Sequence, residues 1–377
     1  MTIEIQGECE TRFEYVRDLL AEEFAAGRAT GIAVAVAVAG VPVAHLWAGH
    51  ADVGRAQPWS PQTIACLFSA SKPLAAMCVL KLVECGRLEL DAPVARYWPE
   101  FAARGKDTVT VRHALAHLAG VPVAEAAGVG AVFRRDELVS ALAAQRPLWP
   151  AGTQLCFHSF THGILSSELV RRVDGRSVSK FFREEIAQPF GLDLAFGLTP
   201  GELQRCADMQ LMADNALFRM MTDPATPLGR SWQPMPWAAL NSVEFRGADF
   251  PSIGGHGSAL GLARFYSALA SGGRLDGRSL LESRLVREAL TEQAHEMDMF
   301  MGAPVRMGLA LMLSNEQFPL TGRPTSFGQP GLGGVAGVGD TDGGIGVGVV
   351  VNRMSAGFQN PLLEGLLTGI ARKSAQS

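Results

Sequence analysis

Ser69 and Lys72 are the two residues of this chain whose types and spacing best fit nucleophilic catalysis. Because they lie three positions apart, a helix would place both side chains on one face, within reach of each other. A serine hydroxyl is a weak nucleophile until a neighbouring base takes its proton. A lysine becomes such a base when burial and the positive end of a helix dipole lower the pKa of its amine. The pair therefore predicts a serine nucleophile with a lysine base, and the N–H of Ser69 at a helix start is a candidate oxyanion donor.

A helix that begins at Ser71 and ends before Gly86 is predicted to position this pair. Pro73 falls in the first turn, where its missing N–H costs nothing, and a glycine is a common end signal. Residues 74–80 are apolar on every face of such a helix, which indicates burial rather than an amphipathic surface position. Burial is the condition that the proposed chemistry of Lys72 requires.

A second S-x-x-K match, at Ser177 and Lys180, shows how unspecific the spacing is by itself. It opens an amphipathic segment, so we interpret Ser177 as a helix N-cap and Lys180 as a surface charge. Only the match at Ser69 combines the spacing with an apolar context.

The Ser69 motif is one of several motifs that follow one another along the chain in a recognisable order. They are Pro58-Trp59, Phe68-Ser69-Ala70-Ser71-Lys72-Pro73, Gly86-Arg87-Leu88-Glu89-Leu90-Asp91-Ala92-Pro93-Val94, His117-Leu118-Ala119-Gly120 and Phe327-Gly328-Gln329-Pro330-Gly331-Leu332-Gly333-Gly334. In this order they resemble the serine β-lactamase and penicillin-binding-protein superfamily, and within it the class C β-lactamase-like esterases, the family VIII carboxylesterases. The resemblance covers most of the chain. It implies an α/β fold with an antiparallel sheet flanked by helices and a mostly helical inserted lobe.

The order of predicted elements agrees with that architecture: helix, strands, helical insertion, strands, helix. We predict that residues 1–65 and 250–377 form the α/β lobe, that 66–249 form the helical lobe, and that the active site lies between them. Residues 214–250 are predicted to be irregular, and 307–313 to form one strand. The first two predicted strands, at 31–38 and 41–47, form a hairpin. The other predicted elements are helices at 10–26, 111–118, 136–144, 162–173, 178–186, 260–270 and from 362, and strands at 335–338 and 345–352.

The family's second motif carries a tyrosine, and the resemblance aligns Phe157 with it. A phenol shuttles protons between nucleophile, leaving group and water, which a phenyl ring cannot do. We therefore interpret Phe157 as a wall of the substrate pocket. The neighbouring His158 is a candidate replacement because imidazole titrates in the right range. The alternative is that His158 points away from Ser69 and is a hydrogen-bonded structural residue.

The third motif of the family, Lys-Thr-Gly or His-x-Gly, aligns with Gln329-Pro330-Gly331. Gln329 keeps a hydrogen-bonding tip but carries no charge, so a neutral substrate is favoured over one with a penicillin-type carboxylate. Gly331 lets a substrate lie against the strand. By resemblance, the N–H of Leu332 completes the oxyanion hole with that of Ser69.

Composition and charge exclude several classes of function. The net charge is −4 and there is no Lys/Arg cluster, so nucleic acid is not expected as a partner. No apolar run reaches about 18–20 residues, so no membrane span is expected. The acidic N-terminus lacks the basic and apolar regions of a signal peptide, so we expect a cytoplasmic protein with reduced cysteines. The His113/His117 and His158/His162 pairs lack a third metal ligand, so we interpret them as structural residues and not as a metal site. The predicted chemistry implies neither a metal nor an organic cofactor.

These features together predict a serine hydrolase of the esterase type that forms an acyl-enzyme on a small or medium neutral ester, lactone or amide. One alternative is an acyltransferase that uses the same acyl-enzyme with an acceptor other than water. Another is a catalytically impaired ligand-binding descendant, suggested by Phe157 and Gln329. A true β-lactamase is the least favoured reading.

Overall fold

The strands of the protein are short, and most of them belong to one sheet. The computed structural model describes residues 3–211, 216–355 and 361–374. The described strands are β1 Gln6–Cys9, β2 Gly31–Val38, β3 Val41–Gly49, β4 Ala65–Cys66, β5 Leu194–Phe196, β6 Gly255–Gly257, β7 Arg274–Leu275, β8 Arg278–Ser279, β9 Ala294–Asp298, β10 Ala303–Met307, β11 Met312–Leu313, β12 Ser326–Pro330, β13 Ala336–Asp340 and β14 Ile345–Val351.

Nine of these strands form a sheet in the order β1-β3-β2-β14-β13-β12-β11-β10-β9. Every neighbouring pair in it is antiparallel. A small sheet, β4-β6-β5, lies beside the start of the Ser69 helix. The predicted antiparallel sheet with flanking helices is confirmed, as is the hairpin that β2 and β3 form.

The helices cluster in the middle of the chain and at its two ends. The described α-helices are α1 Tyr15–Ala25, α2 Lys72–Glu84, α3 Val111–Leu115, α4 Arg135–Ala144, α5 Thr161–Asp174, α6 Val178–Phe182, α7 Pro200–Leu203, α8 Ala216–Thr222, α9 Pro227–Trp232, α10 Val243–Gly247, α11 Ala259–Ala270, α12 Ser283–Leu290 and α13 Pro361–Ser374. None of the helices in the described ranges is long and apolar enough to cross a membrane.

Two glycines of the central strand β14 bring a helix unusually close to the sheet. A Cβ at Gly346 would lie 2.1 Å from the carbonyl oxygen of Ala263, and one at Gly348 would lie 2.1 Å from that of Ala259. Both carbonyls belong to α11, so only glycine leaves room for the helix backbone to contact the strand. Valines 347 and 349 alternate with these glycines and are buried as well, since the strand is covered on both faces.

The helix predicted around Lys72 is present, and its first turn is tighter than an α-helix. Residues Phe68–Ser71 form a 3-10 turn, and α2 continues from Lys72 to Glu84, followed by Gly86 at a φ of +68°. Every residue from Lys72 to Leu80 is buried. The predicted all-round burial of this helix is confirmed.

The prediction that residues 214–250 are irregular was wrong for much of that stretch. It contains α8, α9 and α10 and the 3-10 turn Trp237–Ala239. Thr226 and Ser242 cap α9 and α10 by accepting the N–H of Gly229 and Phe245. Each helix is five to seven residues long, which is too short for a 3.6-residue period to become visible in the sequence.

The single strand predicted at 307–313 was also wrong, because the chain turns within it. β10 ends at Met307 and β11 begins at Met312. The N–H of Gly308 donates to the carbonyl of Leu311 at 2.8 Å, and Ala310 has a φ of +60°. All of these residues are buried. Turns are usually recognised in a sequence by their polar residues, and this turn lies within an apolar run, so the sequence did not reveal it.

A buried carboxylate anchors α5, the helix that follows the Phe157 segment. The Glu168 side chain is fully buried and forms ion pairs with Arg171 and Arg172 at 2.6 Å and with Arg135 of α4. Burial raises the pKa of Glu168, but the hydrogen bonds from the three arginines outweigh burial and lower that pKa to about 2. The network therefore holds α4 and α5 together through a charge with no access to solvent.

Glu168→Gln is expected to lower the free energy of unfolding by about 3 kcal/mol near neutral pH, because a carboxylate with a depressed pKa contributes stability above its unfolded pKa of about 4.3. That contribution is lost as the pH falls through 2. Urea unfolding at several pH values measures the difference. Glu185→Gln is the control, since its ion pair with Arg176 is 43% exposed on the Glu185 side and is worth less than about 1 kcal/mol. Equal effects of the two substitutions would contradict this interpretation.

Candidate active site

Ser69 and Lys72 face each other at the start of the buried helix. The Lys72 Nζ lies 3.1 Å from the Ser69 Oγ, within hydrogen-bond distance. Lys72 is completely buried, and Ser69 retains only 6% of its exposure. The S-x-x-K spacing therefore brings together a nucleophile and a potential base in a water-poor setting.

The Lys72 amine has one further hydrogen bond, to the backbone. Its Nζ donates to the carbonyl oxygen of Ser252 at 3.1 Å. The Ser252 hydroxyl in turn accepts the N–H of Gly163 at 2.7 Å and donates to the carbonyl of Phe160, which fixes this residue against α5. Burial lowers the pKa of Lys72 well below its ordinary value, so the neutral amine needed in a general base is favoured.

Strained backbone holds Ser69 at the start of the helix. Phe68, which precedes Ser69, is fully buried with a φ of +44°, a conformation that is costly for a residue with a side chain. The Ser71 hydroxyl accepts the N–H of Gly255 in β6 at 3.0 Å, and the N–H of Leu67 donates to the Gly255 carbonyl at 2.8 Å. The small sheet therefore clamps both sides of the nucleophile.

The end of β12 lies directly against the residues that lead into Ser69. A Cβ on Gly331 would lie 2.4 Å from the carbonyl oxygen of Leu67, so only glycine fits there. Leu332 follows as the first residue of the 3-10 turn Leu332–Gly334. Because the first N–H groups of a helical turn lack a partner within it, the N–H groups of Ser69 and Leu332 are both candidates for an oxyanion hole.

Phe157 lies beside Lys72. The Lys72 Nζ is 4.6 Å from the centroid of the Phe157 ring. The Phe157 N–H donates to the Asp298 carboxylate at 2.6 Å, and its ring also stacks on His117 with centroids 4.7 Å apart. Asp298 is 1% exposed and also accepts the N–H groups of Phe300 and Met301.

His158 is completely buried and both of its ring nitrogens are hydrogen-bonded to backbone. Its Nδ1 lies 2.6 Å from the Cys156 carbonyl, and its Nε2 accepts the N–H of Val121 at 3.3 Å. Burial lowers the pKa of His158 to about 4. These contacts favour the structural alternative over the role of a replacement base, and a direct contact with substrate stays a prediction.

Gln329 is 1% exposed, with its Nε2 bonded to the Pro330 carbonyl at 3.0 Å. Its Oε1 has no hydrogen-bond partner among the described residues. The amide therefore offers an unused acceptor and no charge. Its role in binding substrate stays a prediction, as do those of Phe157 and Gly331.

Several residues around Ser69 and Lys72 were not predicted from the sequence. Ser252 and Asp298 contribute through contacts that span 180 and 141 positions of the chain, and neither belongs to a recognised motif. His117 was noted as part of a turn motif and as one member of the His113/His117 pair. His162, predicted to be structural, stacks on His117 with ring centroids 4.9 Å apart. No three His, Cys, Asp or Glu side chains in the described part of the chain are arranged to hold a metal ion.

A family model described as Beta-lactamase matches residues 16–366 of this sequence. The chain belongs to the beta-lactamase family. It is 32% identical over 363 residues to the Esterase/beta-lactamase LipL of Mycobacterium tuberculosis, a match that covers 92% of this chain and 83% of that protein.

Two solved members of the family share the fold over nearly their whole length. A penicillin-binding protein homologue from Caulobacter crescentus has 35% identity and a TM-score of 0.89, with 98% of this chain and 100% of that chain covered. A family VIII carboxylesterase has 32% identity and a TM-score of 0.88, with 99% and 100% covered. The resemblance inferred from the motifs is therefore confirmed.

Lys72→Met is expected to stabilise the protein by roughly 1–3 kcal/mol near neutral pH while abolishing any reaction that needs the amine. A lysine whose folded pKa lies below its unfolded pKa binds fewer protons when folded, so burying it costs stability at neutral pH. This cost vanishes as the pH approaches about 10.4, the unfolded pKa. The advantage of the methionine variant should therefore shrink as the pH rises, which denaturant unfolding near pH 7 and pH 9 measures.

Lys180→Met is the matched control, since its side chain is 62% exposed. It should change the free energy of unfolding by no more than about 0.5 kcal/mol at either pH. A Lys72→Met variant that is less stable than the wild type would show that the hydrogen bonds of the amine outweigh its desolvation.

Proposed function

We propose that this protein is a serine hydrolase of the esterase type that forms an acyl-enzyme at Ser69 on a small or medium neutral ester, lactone or amide. The observation that carries the proposal is the 3.1 Å contact between the Ser69 Oγ and the fully buried Lys72 Nζ. Relatives described as an esterase/β-lactamase and a family VIII carboxylesterase support the reaction class.

In the acylation step Ser69 attacks the carbonyl carbon of the substrate while its hydroxyl proton moves to the Lys72 Nζ. The carbonyl oxygen becomes an oxyanion, and we assign its stabilisation to the N–H groups of Ser69 and Leu332. The bond to the leaving group then breaks, and the leaving oxygen or nitrogen takes the proton from the Lys72 ammonium. The products are the Ser69 ester and a free alcohol or amine.

Deacylation repeats the same transfers with water in place of the serine hydroxyl. Water attacks the acyl carbon and gives a proton to Lys72, which then returns it to the Ser69 oxygen as the acid departs. Lys72 therefore serves as base and acid in both halves of the cycle. The use of one lysine as both base and acid requires an amine that changes its protonation state easily, and the lowered pKa of Lys72 favours this.

The neutrality of the third motif supports a substrate without a carboxylate. Gln329 stands where the family motif carries lysine or histidine, and an amide cannot neutralise a carboxylate. A penicillin-type anion would therefore lose its counter-charge at this position. Neutral esters, lactones and amides make no such demand.

Incubation with p-nitrophenyl acetate tests the proposal through intact mass and nitrophenol release. We expect serine-dependent release in the wild type and its loss, by at least about a hundredfold, in Ser69→Ala, because the variant lacks the nucleophile. The control is Ser177→Ala, which removes the serine of the other S-x-x-K match. That hydroxyl caps α6 by accepting the N–H of Lys180, so the variant should keep wild-type activity.

The same assay separates the alternatives. A nitrophenol burst that leaves a lasting adduct on the wild type alone would favour an acyltransferase that lacks its acceptor. Steady turnover without an adduct favours the esterase. If release is equal in the wild type and Ser69→Ala and no adduct forms, the hydrolase proposal fails and a ligand-binding protein becomes the better explanation.

A further inference from the structure

The face of the Phe157 ring is the third contact of the Lys72 amine. The Nζ lies 4.6 Å from the ring centroid, inside the roughly 6 Å limit for a cation–π interaction. Both residues are buried, Phe157 to 7% exposure and Lys72 completely. Such an interaction is stronger when water is excluded, because no solvent competes for the cation.

The other contacts of the amine leave a formed charge without a counter-ion. Nζ is bonded to the Ser69 Oγ and the Ser252 carbonyl, both at 3.1 Å. Among the residues that the structure describes, no carboxylate forms an ion pair with Lys72. An ammonium has three N–H donors, and the structure supplies two oxygen acceptors and one aromatic face to meet them.

Phe157 is held in place through its backbone and through its ring. The Asp298 carboxylate binds the Phe157 N–H, while the ring stacks on His117 at an interplanar angle of 25°. His117 stacks on His162 at 28° and accepts the N–H of His158 at its Nδ1. Among the described residues, these three histidines interact electrostatically with Lys72, and burial lowers the pKa of each one. Uncharged imidazoles add no positive charge to the surroundings of the amine.

We propose that Phe157 stabilises the ammonium form of Lys72 through its ring face, which allows one lysine to carry the proton both ways without a tyrosine. The inference rests on the proposed function and assigns Phe157 a role beyond that of a pocket wall. When the Ser69 proton moves to Nζ, the positive charge forms over the ring. When the leaving group or the Ser69 oxygen takes the proton back, the charge disappears and the interaction is released.

The protonation equilibrium of Lys72 tests this proposal without any need for turnover. The chain contains five lysines, Lys72, Lys81, Lys106, Lys180 and Lys373, so protein labelled at the lysine Cε atoms gives a simple NMR spectrum in which Lys72→Met assigns the signal. Replacing Phe157 with a trifluorinated phenylalanine weakens the negative electrostatic potential on the ring face that attracts a cation, and it nearly preserves the shape of the ring. We expect the pKa of Lys72 to fall by about 0.5–1 unit in that variant.

Two internal controls accompany the titration. Lys106 lies 5.2 Å from the ring of Phe101, and its signal should not respond to fluorination at position 157. Fluorination at Phe182, which is fully buried and packs on Phe196, should leave the titration of Lys72 unchanged. A Lys72 pKa that is the same in the wild type and in the variant fluorinated at position 157 would overturn the proposal, whether or not the protein proves to be an esterase.

Kinetics on p-nitrophenyl acetate supply the second readout. With mono-, di- and trifluorinated rings at position 157, kcat should fall stepwise, to a total of about threefold to tenfold, while the acid limb of kcat/KM moves to lower pH. The limb moves down because a weaker cation–π contact favours the neutral amine. Unchanged kcat across the series would mean that Phe157 only fills space. Nitrophenol release that is equal in the wild type and in Ser69→Ala would instead refute the proposed function.

Discussion

The desolvation of a single amine is the constraint on which the rest of the site depends. Lys72 is completely buried beside a serine hydroxyl, and an ammonium in such surroundings is strongly disfavoured. The contacts that partly offset this desolvation come from neutral groups, a backbone carbonyl and an aromatic ring, and not from a carboxylate. A carboxylate would have raised the pKa of the amine and removed its capacity to act as a base.

The surrounding elements of the fold hold those neutral partners in position around the Lys72 amine. The small sheet fixes the residues on both sides of Ser69, and the end of β12 lies so close to Leu67 that Gly331 has no room for a side chain. Ser252 joins the amine to the start of α5, while Asp298 reaches the Phe157 segment from the far edge strand of the large sheet. Elements distant in sequence thus converge on a cluster formed by one helical turn.

The sequence was informative where the physics is local or the motif is strong. The helix around Lys72 and the hairpin of β2 and β3 could be predicted, because apolar runs, Pro73 and Gly86 report on local structure. The antiparallel sheet was implied by the resemblance of the ordered motifs to a known superfamily. The turn within 307–313 and the short helices in 214–250 could not, since buried turns lack polar markers and short helices lack periodicity. Ser252 and Asp298 act through long-range contacts that no local pattern encodes, and the orientation of His158 depends on backbone partners that the sequence does not reveal.

The burial of Lys72 also determines how the protein responds to amine-reactive reagents. A neutral amine is intrinsically far more reactive toward acylating or carbonyl compounds than a protonated one, and burial favours the neutral form of Lys72. Burial also shields this amine, since reagents in bulk solvent reach the 62% exposed Lys180 side chain and not the Nζ of Lys72. Chemical labelling of Lys72 therefore reports that a reagent has entered the buried surroundings of Ser69, and protection from such labelling reports that this space is occupied.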